Sequence, residues 1–258
     1  MHNLWNAISV ETTKMLHAKM ARWALIAAAC APILVALMLL IARNPEISQR
    51  LGIVGAKANL IAFAGADWRL YFGLTTQILA MGNFILAVLV GSWIFGREFA
   101  DGTAKDLLAL PTSRSTIVLA KFVVLSIWCV LAATAMVVMG LIMGSVIGLP
   151  GMAAGLISHN LLFGAKITVL AILSSFPFAF VASAGRGYLL PLSIMLLTLM
   201  GTQVALALGW GELFPWAIPT LYAQGKISSM LSIFVVCITG IGGVLLTIAW
   251  WRRADHPR

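Results

Sequence analysis

Residues 122–147 read FVVLSIWCVLAATAMVVMGLIMGSVI and carry no charged side chain. A helix rises about 1.5 Å per residue, so this run is long enough to cross the ~30 Å hydrocarbon core of a bilayer. Gly140, Gly144 and Gly148 recur every four residues along it and just beyond. That spacing lays a strip of bare backbone along one side, where another helix of this chain or of a second copy can approach closely.

Working outward, five more apolar runs occupy 23–42, 72–95, 161–183, 189–208 and 230–251, separated by segments with Gly, Pro or charge. Together they predict an all-α membrane protein with six transmembrane helices. Of the 258 residues, 61% are hydrophobic and 10% charged, against about 25% charged in a soluble domain. Little chain is left for a soluble domain, and no G-x-x-x-x-G-K-[ST] loop occurs, so any ATPase must be a separate chain. The net charge of +9 comes from basic residues scattered at the ends of apolar runs, which indicates membrane topology and argues against nucleic acid as a partner. Cys30, Cys129 and Cys237 fall inside predicted spans and read as small apolar side chains.

Residues 1–22 contain Asn3, Asn6, Glu11 and Thr13 and lack the short apolar core of a secretory signal. Trp5, Ile8, Thr12, Met15 and Leu16 recur at helical spacing. Asn6, Ser9, Thr13 and His17 fall largely on another face, and Lys14, Lys19 and Arg22 are available to lipid headgroups. This predicts an interfacial amino-terminal helix, with a plain solvated tail as the alternative because Thr12 interrupts the stripe. If the amino terminus is cytoplasmic, that side collects Lys14, Lys19, Arg22, Arg97, Lys105, Arg114, Lys121, Arg186, Arg252, Arg253 and Arg258. The far side collects Arg43, Arg50, Lys57, Arg69 and Lys226. The excess on the first side predicts both termini, including the tail 252–258, in the cytoplasm. Trp23, Trp68, Trp250 and Trp251 sit where interfacial anchors are expected. The segment 209–229, with Trp210, Glu212, Pro215, Trp216, Pro219, Tyr222 and Lys226, is too broken to span and too apolar for a free loop. It is expected to form short helices that dip into the membrane and return.

The connection 96–121 reads GREFADGTAKDLLALPTSRSTIVLAK. Thr103 followed by Asp106 fits a variant capping box, in which the hydroxyl accepts an orphan backbone N–H and the carboxylate complements the positive helix end. A short helix over 104–110 would stop before Pro111, with Ser113 able to cap the helix that follows. It would gather Leu107, Leu108 and Leu110 into a compact apolar surface flanked by charge. Such a surface suits docking into a groove on another protein, or packing of a hairpin on its own spans.

Glu98, Asp101, Gly102, Thr103, Leu107, Leu108, Pro111, Ser113 and Arg114 resemble the loop between the second and third spans of ABC-2 type transporter permeases. In size and loop pattern the chain is most similar to permeases of bacitracin-type and lantibiotic-immunity exporters. The resemblance implies an amino-terminal interfacial helix, six spans, a cytoplasmic coupling helix at 102–110 and re-entrant helices at 209–229. It further implies that 102–110, including Lys105 and Asp106, presses into a separate ATPase, with Glu98, Asp101 and Arg114 shaping the loop or touching the ATPase. ATP and Mg would be bound by that partner, with no cofactor in this chain. The assembly implied is two ATPase subunits and two permease chains, identical or homologous, in a bacterial cytoplasmic membrane.

Other polar residues within spans are Thr76 and Asn83, which share a face, Thr198 and Thr202, which share another, and Lys166. They either line a substrate path or, for the hydroxyl and amide groups, bond between helices. Lys166 either serves function or snorkels outward. Arg186, between Gly185 and Gly187, marks a tight turn. Among rival readings, Asp101-Gly102 followed by Ala104-Lys105 echoes the start of an aspartate-rich phosphotransferase motif. No further Asp occurs between Asp106 and Asp255, so the carboxylates for metal binding are missing. G-x-S-x-G and H-E-x-x-H are absent, and His2, His17, His159 and His256 are dispersed. A secondary transporter would show more charge within its spans than Lys166 alone. A non-transporting assembly or regulatory subunit on the same fold is the remaining alternative.

Overall fold

The computed structural model describes residues 2–44, 65–102, 112–227 and 229–253. Among these, six helices are long and apolar enough to cross a membrane. A helix α1 (His2–His17) precedes the first of them, α2 (Lys19–Arg43). The others are α3 (Trp68–Ala100), α4 (Arg114–Val146), α5 (Ala154–Ala184), α6 (Leu189–Ala207) and α8 (Met230–Arg253). A 3-10 turn (Gly211–Leu213) and a short helix α7 (Ile218–Ala223) lie between α6 and α8.

The sequence signals at the helix ends are used directly. Asp67 caps α3 by accepting the Leu70 N–H at 2.8 Å, and Ser113 caps α4 by accepting the Thr116 N–H at 3.2 Å. Past the end of α3, Gly102 takes φ +72°, the left-handed region where a side chain is disfavoured.

Hydropathy underestimates α3 and α4. Each has 33 residues, roughly 50 Å of helix and well over a bilayer core. Most of the surplus lies at the end joined by 101–113, so half of the polar connection 96–121, residues 96–100 and 114–121, is helix rather than loop. Hydropathy stops at the first charged residues, whereas the backbone hydrogen bonds do not.

Helix α5 sits between α3 and α8, while α4 packs on α2, α1 and α3. The α5–α8 seam is backbone to backbone. A Cβ on Gly243 would meet Pro177 N at 2.5 Å and Phe176 C at 2.8 Å, and one on Gly240 would meet Leu173 at 3.0 Å. Pro177 lacks the N–H that would bond the Leu173 carbonyl, and glycines face it there.

The strip expected on α4 divides into three roles. Gly144 leaves room for the Trp68 indole, which a Cβ would meet at 2.5 Å. Gly140 faces Pro32 and Tyr71 at ordinary contact distance. Gly148, at φ +62°, ends the helix, and no heavy atom among the described residues lies within 4 Å of where its Cβ would sit.

Two expected tryptophan anchors are corrected. Trp68 and Trp251 are 1% and 0% exposed, and Trp251 Nε1 donates to Ser183 Oγ at 3.0 Å. These rings fill the interior because partner helices offer them more contact than the bundle surface does. Trp23 remains 68% exposed.

The course between α6 and α8 runs back along the bundle. Trp216 Nε1 donates to the Ser174 carbonyl at 2.9 Å, while Tyr222 stacks on Phe163 at 5.2 Å. Along α5 those two levels are roughly 16 Å apart. The segment therefore descends to Pro215–Trp216 and climbs through α7.

Candidate functional site

Among the described residues, the densest polar chemistry lies at the end of the bundle where α3 stops and α4 begins. Helix α1 turns Glu11 and Met15 inward, with Ala18 buried just past its end, leaving Trp5 and Leu16 72% and 60% exposed. The expected apolar stripe of α1 is thus split, and its buried face includes an acid.

Glu11 meets Glu98 of α3 and Lys121 of α4 in a closed ring. Lys121 Nζ donates to Glu98 Oε1 at 2.9 Å, to Glu11 Oε2 at 3.2 Å and to the Ile94 carbonyl at 3.1 Å. Lys14 Nζ donates to Glu11 Oε1 at 2.9 Å and to Glu98 Oε1 at 3.1 Å. Two acids and two lysines leave no net charge, which is what makes so much burial tolerable. The Lys121 side chain is 1% exposed, and Glu98 Oε2 is buried without a hydrogen-bond partner among the described residues.

Burial works against ionising Glu11, but Lys121 and Lys14 outweigh it and lower its pKa. Burial likewise disfavours charged Lys14, and its bonds to Glu11 and Glu98 outweigh that and raise its pKa.

Both stems of the connection are tied down. On the α3 stem, Glu98 joins the ring, and Phe99 sits edge-on to Trp250 and Trp251, each at 5.4 Å. Arg97 pairs with Asp101 at 3.6 Å and lies over Trp93 at 4.7 Å. On the α4 stem, Arg114 Nη1 donates to the Trp251 and Arg252 carbonyls at 3.1 and 3.3 Å, and Arg252 Nε donates to Ser115 Oγ at 2.8 Å. Arg114 thereby satisfies carbonyls at the end of α8. Gly96 permits a further closure, since a Cβ there would meet Gly187 C at 2.7 Å. Arg186 makes that turn at φ 50°.

Of the loop residues singled out in the sequence, Glu98, Asp101, Gly102, Ser113 and Arg114 therefore sit on the stems. Thr103, Lys105, Asp106, Leu107, Leu108 and Pro111, with the rest of the expected helix at 104–110, lie outside the described residues. In the sequence, Lys14 signals only headgroup contact and topology, Lys121 only topology, and Glu11 only that the amino terminus is not a secretory signal. A better clue is Glu11 itself, an acid in a helix otherwise suited to an anionic surface.

The span residues do not gather into one chamber. Thr76 Oγ1 bonds the Phe72 carbonyl at 2.7 Å and lines a cleft among α2, α3, α4 and α5. Thr202 bonds the Thr198 carbonyl at 2.9 Å and lines a separate cavity of about 40 Å³ with Gln203, Trp216 and Thr220. Thr198 bonds the Ile194 carbonyl at 2.8 Å. Asn83 is 0% exposed, and neither end of its amide has a partner among the described residues. Lys166 is exposed on α5.

The sequence pattern of the family described as ABC-2 family transporter protein matches residues 7–202, from the ring-forming α1 into α6. The chain is also similar to the bacitracin transport permease protein BCRB of Bacillus licheniformis, with 26% identity over 189 residues, 67% of this chain and 89% of that one. Six membrane-capable helices and a family match over most of the chain lead to one conclusion: this protein belongs to the ABC-2 transporter family and is a multi-pass membrane permease of an ABC transporter.

Proposed function

We propose that this chain is half of the membrane pathway of an ATP-driven exporter and that 102–110 docks into a separate ATPase. The observation that carries this reading is the anchoring of the connection's two stems, one to α1 through the Glu11–Lys14–Glu98–Lys121 ring and the other to the end of α8 through Arg114. A push on the connection then moves four helices, α1, α3, α4 and α8, together rather than flexing a loop. ATP, bound with Mg by two partner ATPases, draws them together. The coupling helices follow, and a pair of permease chains changes the accessibility of the substrate site.

An amphipathic peptide or lipid-like molecule is the proposed cargo. The similarity to a bacitracin transport permease supports the peptide class, and the cavity at Thr202, Gln203 and Trp216 offers a mixed polar and aromatic wall. The proposed setting is a bacterial cytoplasmic membrane with both termini inside, supported by the basic excess at that end. Exposed Trp5 and Leu16 support α1 lying in the interface. The descent to Trp216 supports membrane re-entry of 209–229.

Leu107→Glu or Leu108→Glu tests the docking. Either puts a charge that must be desolvated into the apolar contact. The expected result is loss of ATPase co-purification with membrane insertion unchanged. Undiminished co-purification would refute the assignment.

A further inference from the structure

The cleft that Thr76 lines is a narrow slot open to the outside, with a cavity volume of about 40 Å³. Its walls come from residues 72–79 of α3, 136–141 of α4 and 157–164 of α5, with Pro32 of α2 at the back. Counted from the ends of α3, α4 and α5 farthest from the 101–113 connection, all three wall segments lie roughly 5–16 Å along their helices. That is the depth of one leaflet of a ~30 Å hydrocarbon core.

The cleft exists because α4 and α5 meet little while each packs on α3, and because Gly140 and Gly164 supply no side chains to fill it. Its mouth lies beside Leu161, which is 47% exposed. The Thr75 and Thr76 hydroxyls donate to carbonyls of their own helix, and Asn160 Nδ2 donates to the Leu156 carbonyl at 3.1 Å. The occupant is therefore met mainly by hydrocarbon. Ordered water needs two to four polar partners, and a helix about 10 Å across is too wide for the slot.

We propose that this cleft binds one acyl chain of a bilayer lipid, entering between α4 and α5 from the leaflet opposite the 101–113 end, which is the outer leaflet when both termini are cytoplasmic. The leaflet depth and the side opening favour a lipid, as do the apolar Leu162, Val138 and Ile142 exposed on the same two helices.

The test reconstitutes the full chain in phosphatidylglycerol vesicles in which some lipid carries a diazirine midway along one acyl chain. After irradiation, labelled peptides are mapped. Labelling of 72–79, 136–141 and 157–164 is expected to exceed by several-fold that of the exposed faces of α6 and α8. Val137→Phe, which fills the slot, should lose most of the cleft labelling and keep the rest. Leu161→Trp, at an exposed position, narrows the mouth and carries the same expectation if Val137→Phe does not fold.

Cleft labelling no stronger than on α6 and α8, or unchanged in a folded variant, overturns the proposal. So does displacement of the label by an unlabelled amphipathic peptide, which assigns the cleft to the cargo instead. The readout needs neither ATP nor an ATPase, so failure here leaves the docking assignment of 102–110 untouched.

Discussion

Lys121 is the residue on which the ring depends, because it is fully buried and touches both acids. Lys121→Met would leave Glu11 and Glu98 buried with Lys14 as their shared cation. Breaking one partner out of a buried ion pair costs about 3–5 kcal/mol, expected as a large fall in melting temperature in detergent. Adding Glu98→Gln should recover part of that loss, since the charge is then removed rather than orphaned. The pH dependence follows from the shifts in α1. Glu11 is held below its ordinary 4.5, so its stabilisation is complete above that pH and lost as pH falls through the folded value. Lys14 is held above its ordinary 10.5, so its share is complete below that pH and lost as pH rises through the folded value. Between those limits both contributions stand. Melting temperatures on the acid side should fall more steeply in the wild type than in Glu11→Gln.

Among the elements, α5 and α8 meet backbone to backbone, and the glycines of that seam can be tested against an internal control. Gly243→Ala drives a Cβ into the Phe176–Pro177 backbone, whereas one at Gly242 meets nothing within 4 Å among the described residues. Backbone cannot swing aside as a side chain can, so Gly243→Ala is expected to cost about 1–3 kcal/mol. Gly242→Ala should stay within about 1 kcal/mol, on the favourable side, because alanine is the better helix former. Comparing the two thermal unfolding curves checks both. Equal curves would mean that the helices separate freely at the seam.

For the whole molecule, the alternating course of the six helices brings α1, the 101–113 connection and the end of α8 to one end. Arg43, Trp68 and Pro150 meet at the other, where Arg43 donates to the Ala66 and Ile147 carbonyls and Trp68 N to the Pro150 carbonyl. With the first end cytoplasmic, an impermeant maleimide on intact cells should label Met152→Cys in a background free of native cysteine. His17→Cys should react only after permeabilisation. Labelling in the reverse order would invert the orientation and with it the docking side for the ATPase.

Hydropathy by itself determined the class and the number of spans, because an uncharged run such as 122–147 has no stable place except a bilayer and no backbone solution there except a helix. Cap residues were equally legible: Ser113 acts within one turn of itself. Contacts between distant residues were not. Lys14 and Lys121 read alone as headgroup or topology charges, Glu98 as a residue of the coupling loop and Glu11 as a mark against a secretory signal, and only their convergence from three helices makes them a neutral buried ring. Gly243 carried no signal of its own, since its meaning is the backbone of Pro177 on another helix. Local sequence decides what a segment of this chain becomes in a membrane; which buried charges and bare backbones face one another is decided by packing, where partners far apart in sequence compensate costs that none could bear alone.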